Sequence, residues 1–403
     1  MRIRREWLAA LAGALLLAST DAGAQGADAG AQGAGASPRT VQVAQQTDFV
    51  LILRSDGSVV GFGSDTSLLA ARPSSSKGRI EVPTVLGLPP RVTQVAISSD
   101  AAYALLDDGT LLAWGNNDRG QFGGGVGSSR TPGNPMRSAT PIRVASPKPV
   151  AQIVAAGHHA LALATDGTVL TWGDDPSGGP AEMRVVEGLE QVTQVAAAGT
   201  HDLALTKAGV VFAWGENGNG QLGVPLDTRR SARPVQVPGL EHVVSIGAYG
   251  NSNFGYSGAV KADGTVWMWG SNQAATMGNG LKWGTVRADG SANYPAPEQV
   301  KGLAAAKSLS IGNGHVVVLM ADRSLRIWGH DGWGQTGMGT WGGYQEAPKK
   351  PAITDVVYAV GAGTATYAVR ADGSLWRWGA STFNNRAVEL GNDRHVPTVL
   401  TLP

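Results

Sequence analysis

Seven histidines, a recurring Asp-Gly pair and a set of glycine-rich runs are the features of this sequence that could do chemistry. His158, His159, His201, His242, His315, His330 and His395 could move protons near neutral pH or ligate a metal. A metal needs several such groups converging on one ion, and the sequence has no H-E-x-x-H in which two would do so. Asn116-Asn117-Asp118-Arg119-Gly120 resembles the opening of a calcium loop, but no bidentate Glu follows at the spacing such a loop requires. The glycine runs lack the Lys-Ser/Thr ending of a phosphate-binding loop. There is no G-x-S-x-G, so no nucleophile is presented on a strained strand-to-helix turn. The Asp residues recur immediately before Gly, where turn geometry accounts for them, and no carboxylate pair suggests acid–base work. The sequence therefore nominates no catalytic residue, no metal ligand and no cofactor, and an enzyme is not expected.

The elements that carry these residues are repeated. Asp263 to Gly270 reads DGTVWMWG, and the segment returns as DGTLLAWG (108–115), DGTVLTWG (166–173), AGVVFAWG (208–215), DRSLRIWG (322–329) and DGSLWRWG (372–379). A first copy, DGSVVGFG (56–63), has Phe62 in place of Trp. The seven closing glycines lie 42 to 59 residues apart, a period that signals a repeat architecture. Each copy has a run-up such as VTQVAAAGTHDLALTKAG (192–209) or VAQIVAAGHHALALATDG (150–167). The alternation predicts three short strands per unit, with Asp-Gly as a two-residue hairpin turn that needs positive φ at its centre. Within Val266 to Trp269, Val266 and Met268 share one face and Trp267 and Trp269 the other. Both faces are apolar, so the strand must be covered on both sides. Pro-containing segments ahead of the next unit, 82–88, 233–240 and 396–403, predict a fourth, edge strand. Seven units of four antiparallel strands predict an all-β, seven-bladed β-propeller. The last edge segment, 396–402, has no following unit and is expected to pair in the blade holding Val41 to Gly63.

Copies two and four end in Asn117-Asp118-Arg119-Gly120-Gln121-Phe122-Gly123 and Asn217-Gly218-Asn219-Gly220-Gln221-Leu222-Gly223, and the sixth keeps Gly332 to Gly337. With V-x-x-V-x-x-x-G-x-H and A-L-x-x-D-G-x-φ-φ-x-W-G before it, this pattern resembles the regulator-of-chromosome-condensation repeat over residues 41–403. The Trp-Gly ending argues against a Trp-Asp-repeat blade. His159, His201 and His315 fall at one repeat position, where other copies have Ala101, Tyr256 and Ala365. The resemblance implies structural His packed between blades, and in separate blades they would stand too far apart to share an ion.

The amino terminus predicts export. Residues 1–24 have a basic start (Arg2, Arg4, Arg5), an apolar run from Trp7 to Ala18 and a small-residue ending, the layout of a signal peptide. Residues 25–40 are a Gly/Ala-rich segment expected to be a disordered linker, leaving 41–403 as the propeller. No other stretch is long and apolar enough to span a bilayer. The chain has no Cys, which excludes disulfides and a lipid-anchored Cys. Its formal net charge of +1 falls to near zero once 1–24 is removed. Nucleic-acid binding, which needs a clustered basic surface, is not expected.

Insertions between third and fourth strands should emerge on one face of the ring. Two differ in kind: one holds Trp283 and Tyr294, the next Trp333, Met338, Trp341 and Tyr344, spaced by glycines. Interfaces are enriched in such side chains, so these six form the candidate partner-binding site, on adjacent blades. The expected function is an exported, monomeric, non-enzymatic scaffold that binds a protein partner through one loop face. The resemblance covers other functions. A nuclear exchange factor needs partners that do not suit an exported, neutral chain, and a photoreceptor needs clustered Trp beyond the repeat's own. Exported relatives that inhibit a hydrolase such as a β-lactamase fit the compartment. A carbohydrate-binding or structural envelope protein is the remaining alternative.

Overall fold

The computed structural model describes residues 38–46, 49–64, 79–125, 127, 135–281, 292–380 and 395–403. The expected signal peptide and nearly all of the expected linker lie outside these residues. The described elements are 28 strands and no helix. They form seven antiparallel sheets, each of four strands consecutive in sequence. The blades span Thr40–Val85, Val92–Arg143, Val150–Val185, Val192–Gln236, Val243–Gln299, Ala306–Lys349 and Val356–Val399. This is the seven-bladed β-propeller that the repeats predict.

The first strands of all seven blades line an axial channel of about 280 Å³. The second strands, such as Phe49–Arg54, His159–Ala164, His201–Thr206 and His315–Met320, are buried on both faces. That explains why ALAL and VVVL runs show no polar side. The repeat Trp residues 114, 172, 214, 269, 328 and 378 are each at most 1% exposed. The fourth strands are the outer edge, and Pro83, Pro141, Pro234, Pro295 and Pro348 stand in them.

The Asp-Gly turn differs from the expectation. The Gly57 N–H donates to Arg54 C=O and the Arg54 N–H to Ser58 C=O, so the loop has three residues, and only its last, Gly57 at φ +81°, is left-handed. Asp acts through its side chain instead: Asp56 Oδ1 accepts from the Ser58 N–H at 2.9 Å and its hydroxyl at 2.7 Å. Asp108, Asp166, Asp263, Asp322 and Asp372 hold the residue two positions on in the same way. This is an Asx turn. In the sixth blade Arg323 takes the left-handed position at φ +62°.

Neighbouring blades are stitched by side chains the repeat pattern left unread. Gln42 Nε2 donates to Val95 C=O and its Oε1 accepts from the Val95 N–H, at 3.0 and 2.9 Å. Gln94 does the same to Ala151 and Ile153, and Gln194 to Ile246. Gln152 Oε1 accepts from the Val195 N–H, and Ser245 Oγ from the Leu309 N–H.

The ring does not close by an exchanged strand. Thr398–Val399 pairs with Leu375–Gly379 of its own blade. The first blade already has its outer strand, Arg79–Val85, so no edge is vacant there for the carboxyl-terminal segment. Among the described residues closure is by packing and by side-chain hydrogen bonds. Tyr358 Oη accepts from the Val43 N–H and donates to its C=O, both at 3.3 Å, and Arg54 donates to Pro403 C=O at 2.5 Å. One hydrophobic cluster, including Leu51, Trp114, Tyr367 and Leu400, runs through blades one, two and seven.

Candidate partner-binding surface

The residue types that could do chemistry are mostly consumed at blade seams. His159, His201 and His315 are fully buried. Each reaches the next blade: His159 Nε2 meets Asp202 Oδ1 at 2.9 Å, His201 Nε2 meets Ser257 Oγ at 2.7 Å, and His315 Nε2 meets Thr366 Oγ1 at 3.0 Å. Tyr256, at the same position, donates to Gly312 C=O. Burial pushes the pKa of His201 down to about 3 and of His315 down to about 4. At His159 burial opposes the charged form, but the Asp202 carboxylate outweighs it and the net direction is upward. Burial raises Asp202 itself, against the pull of His159. Among the described residues no three His, Asp or Glu converge as a metal site would require.

The expected loop face exists in part. The loop between the third and fourth strands of blade six, residues 331–343, is built on a buried frame. Asp331 Oδ1 accepts from the Thr336 N–H at 3.0 Å, Gln335 Oε1 from the Trp333 N–H at 2.9 Å, and the Gln335 amide meets His330 Nδ1 at 2.9 Å. Backbone bonds from Asp331 to Gly343 and from Gly342 back to Asp331 pin its ends. This frame carries Trp341 outward, 70% exposed. It is the one exposed tryptophan among the described residues. Its ring stacks on His395, with centroids 5.7 Å apart and planes 9° from parallel, and Gly339 donates to His395 C=O at 2.8 Å.

The other five expected residues divide. Tyr344 and Trp333 are half-buried, and Tyr344 packs edge-on against His330 with centroids 5.3 Å apart. Met338 is half-buried and packs against the cluster that holds Ile353, Val356 and Trp378. Tyr294, only 2% exposed, belongs to the core of blade five, and its hydroxyl accepts from Asn279 Nδ2 at 2.9 Å. A strand side chain on the inward face has core to enter, which loop composition alone did not disclose. Trp283 lies outside the described residues. The blade-five loop meets the fourth strand of blade six, through the Gly280 N–H and Glu346 C=O at 3.0 Å. The exposed aromatic surface, however, lies toward blade seven, because Trp341 turns to His395. No sequence signal marked His395 as Trp341's partner.

Profiles described as "Regulator of chromosome condensation (RCC1) repeat" match residues 92–121, and 108–163, 208–252 and 263–319. Over those stretches the chain matches regulator-of-chromosome-condensation repeats. It is 23% identical over 373 residues to the "Regulator of chromosome condensation" of Drosophila melanogaster, covering 90% of this chain and 58% of that protein. It is 28% identical over 356 residues to the "RCC1 domain-containing protein RUG3, mitochondrial" of Arabidopsis thaliana, covering 87% of this chain and 64% of that protein. The chain thus spans about three-fifths of these relatives' length. Its fold is that of yeast RCC1 (Prp20) in a crystal structure with Kap60, at a TM-score of 0.71, 20% identity, and coverage of 89% of this chain and 84% of that one. Human WBSCR16 superposes similarly, with a TM-score of 0.70, 20% identity, and 86% and 95% coverage.

Proposed function

We propose that this chain of regulator-of-chromosome-condensation repeats is an exported, monomeric scaffold that binds a protein partner through the surface around Trp341 and His395 and catalyses no reaction. The observation that carries the proposal is a tryptophan held 70% exposed on a hydrogen-bonded frame. Exposing so large an apolar ring opposes the hydrophobic effect, and a rigid frame lowers the entropy lost when it becomes an anchor. The layout of residues 1–24 supports export. The crystal structure of Kap60 bound to yeast RCC1 (Prp20), and the binding of Prp20p to Gsp1p and histones, supply precedent for protein binding on this fold.

The test compares wild-type chain and Trp341→Ala as bait for envelope and medium proteins of the exporting cell. Trp341 buries little, so the variant should melt as the wild type does while capture falls by about 2 kcal/mol, roughly thirtyfold in affinity. If capture is unchanged, this surface is not the binding site. If the captured protein is a hydrolase such as a β-lactamase and its activity falls, the scaffold reading gives way to inhibition. Retention on polysaccharide beads in place of protein capture replaces it with carbohydrate binding.

A further inference from the structure

In most described seams the Trp of one blade is covered by the glycine-rich tail of the blade before it. Trp172, Trp269 and Trp328 donate Nε1 to the main-chain carbonyls of Gln121, Gln221 and Thr276 at 2.8, 2.9 and 2.8 Å. The closing glycine of the tail lies against the indole: a Cβ on Gly278 would stand 2.8 Å from Trp328 Nε1, and one on Gly337 would stand 2.7 Å from Trp378 Nε1. Glycine is required there because no side chain fits between tail and ring.

Blade three has no such tail. Its segment Asp174-Asp175-Pro176-Ser177-Gly178-Gly179 makes the same first turn, with the Gly178 N–H on Asp175 C=O as the Gly220 N–H is on Asn217 C=O, but has no Gln-Leu-Gly after it. The buried Asp175 carboxylate instead takes the Thr171 hydroxyl, the Ser177 N–H and the Arg184 guanidinium. Between the outer parts of blades three and four a cavity of about 380 Å³ opens, walled by Ser177, Arg184, Glu187, Trp214, Arg233 and Pro234 among others. That volume falls near the low end of the roughly 300–1,000 Å³ typical of ligand sites. Trp214 is 1% exposed, and its Nε1 has no hydrogen-bond partner, nor has the buried Nε of Arg184. Leaving such a donor unmet costs about 1–3 kcal/mol. The Trp378 Nε1 is also unpartnered, but Gly337 occupies the space beside it. The seam of blades three and four thus combines open space with unmet donors.

We infer that this seam is a slot for a glycine-containing main-chain loop of a protein partner, held by hydrogen bonds from Trp214 Nε1 and Arg184 Nε to a peptide carbonyl. In three other seams the same indole donor takes a main-chain carbonyl from the tail of the blade before it. Charge selects a neutral acceptor. Arg184 and Arg233 are balanced by Asp175 and Glu187 around the cavity, so a phosphate or free carboxylate finds no net positive field. The loop needs glycine where it passes the indole, as Gly223, Gly278 and Gly337 do in this chain. The slot is separate from the Trp341 surface, and neither site depends on the other.

The test uses the full chain with nitrogen-15-labelled tryptophan and follows its indole N–H signals. The probe is the synthetic peptide Asn-Gly-Asn-Gly-Gln-Leu-Gly, the tail of blade four (217–223). Its titration should give a saturable shift and slowed hydrogen exchange at the Trp214 indole, identified by its loss in Trp214→Phe. A second variant, in which residues 174–179 are replaced by that same tail sequence, should show the Trp214 signal already displaced and unresponsive to peptide. If the graft does not fold, the wild-type titration still decides. No shift at saturating peptide overturns the inference and leaves a water-filled notch. An equal shift with sodium phosphate or sodium acetate also overturns it, in favour of an anion site.

Discussion

At the blade seams His201 and His315 are titratable groups held in their neutral form. With pKa values near 3 for His201 and 4 for His315, against about 6.5 in an unfolded chain, the unfolded state binds more protons across the interval between. Stability is therefore full above about pH 6.5 and falls as pH drops toward the folded values, by at most about 1.4 kcal/mol per pH unit for each His. His159 shifts the other way beside Asp202, so the informative quantity is the change of slope in a variant. In His201→Gln, which can still reach Ser257, the urea midpoint should vary less between pH 6.5 and 4.5 than in wild type; an identical slope would show that His201 is not buried neutral. The turn carboxylates titrate lower, Asp166 at about 2 because Lys148 and the Thr168 N–H hold its charged form, and leave this window clear. A second residue-scale prediction concerns Arg323, whose left-handed φ of +62° is taken by glycine in the equivalent turns. Arg323→Gly should stabilise by about 1 kcal/mol, read as a raised urea midpoint; a lowered midpoint would mean the side chain contributes more than the backbone strain costs.

At the scale of the element, the strands and turns were legible because each is written seven times over. Period-2 alternation located the second and third strands, and Pro located the outer ones. The Asp-Gly loop came out one residue longer than expected, because Asp works here through its carboxylate and leaves positive φ to Gly57. The Gln of V-x-Q-V stood in plain view in the run-ups, yet its role depends on a neighbouring blade more than 50 residues away, which local periodicity does not encode. Gln194→Ala should leave the Ile246 N–H and C=O without their side-chain partner and cost about 1–3 kcal/mol; a neutral result would show that water replaces the amide. Trp269→Ala, at a filled seam, should cost about 3–5 kcal/mol in denaturant unfolding, and a surface-like loss below about 1 kcal/mol would contradict its burial. The candidate binding residues were less legible. Aromatic content marked the blade-six loop, but Tyr294 turned out to be core and Met338 half-buried against it, since side-chain direction follows strand register and tail geometry more than composition.

For the whole molecule the decisive fact is that each blade keeps four consecutive strands. Closure then rests on side chains, and Tyr358→Phe, which loses both links to Val43, should lower stability by about 1–2 kcal/mol. An unchanged melting curve would mean apolar packing alone shuts the ring. The same arrangement makes the ring a bracelet of whole links whose ends meet at a clasp, with Arg54 beside Thr40 on one side and Pro403 on the other. A gene for such a bracelet can be cut at any joint and rejoined at the clasp without splitting a sheet. Duplication or loss of one repeat adds or removes a complete link, so the joints between blades are also the natural seams for inheritance.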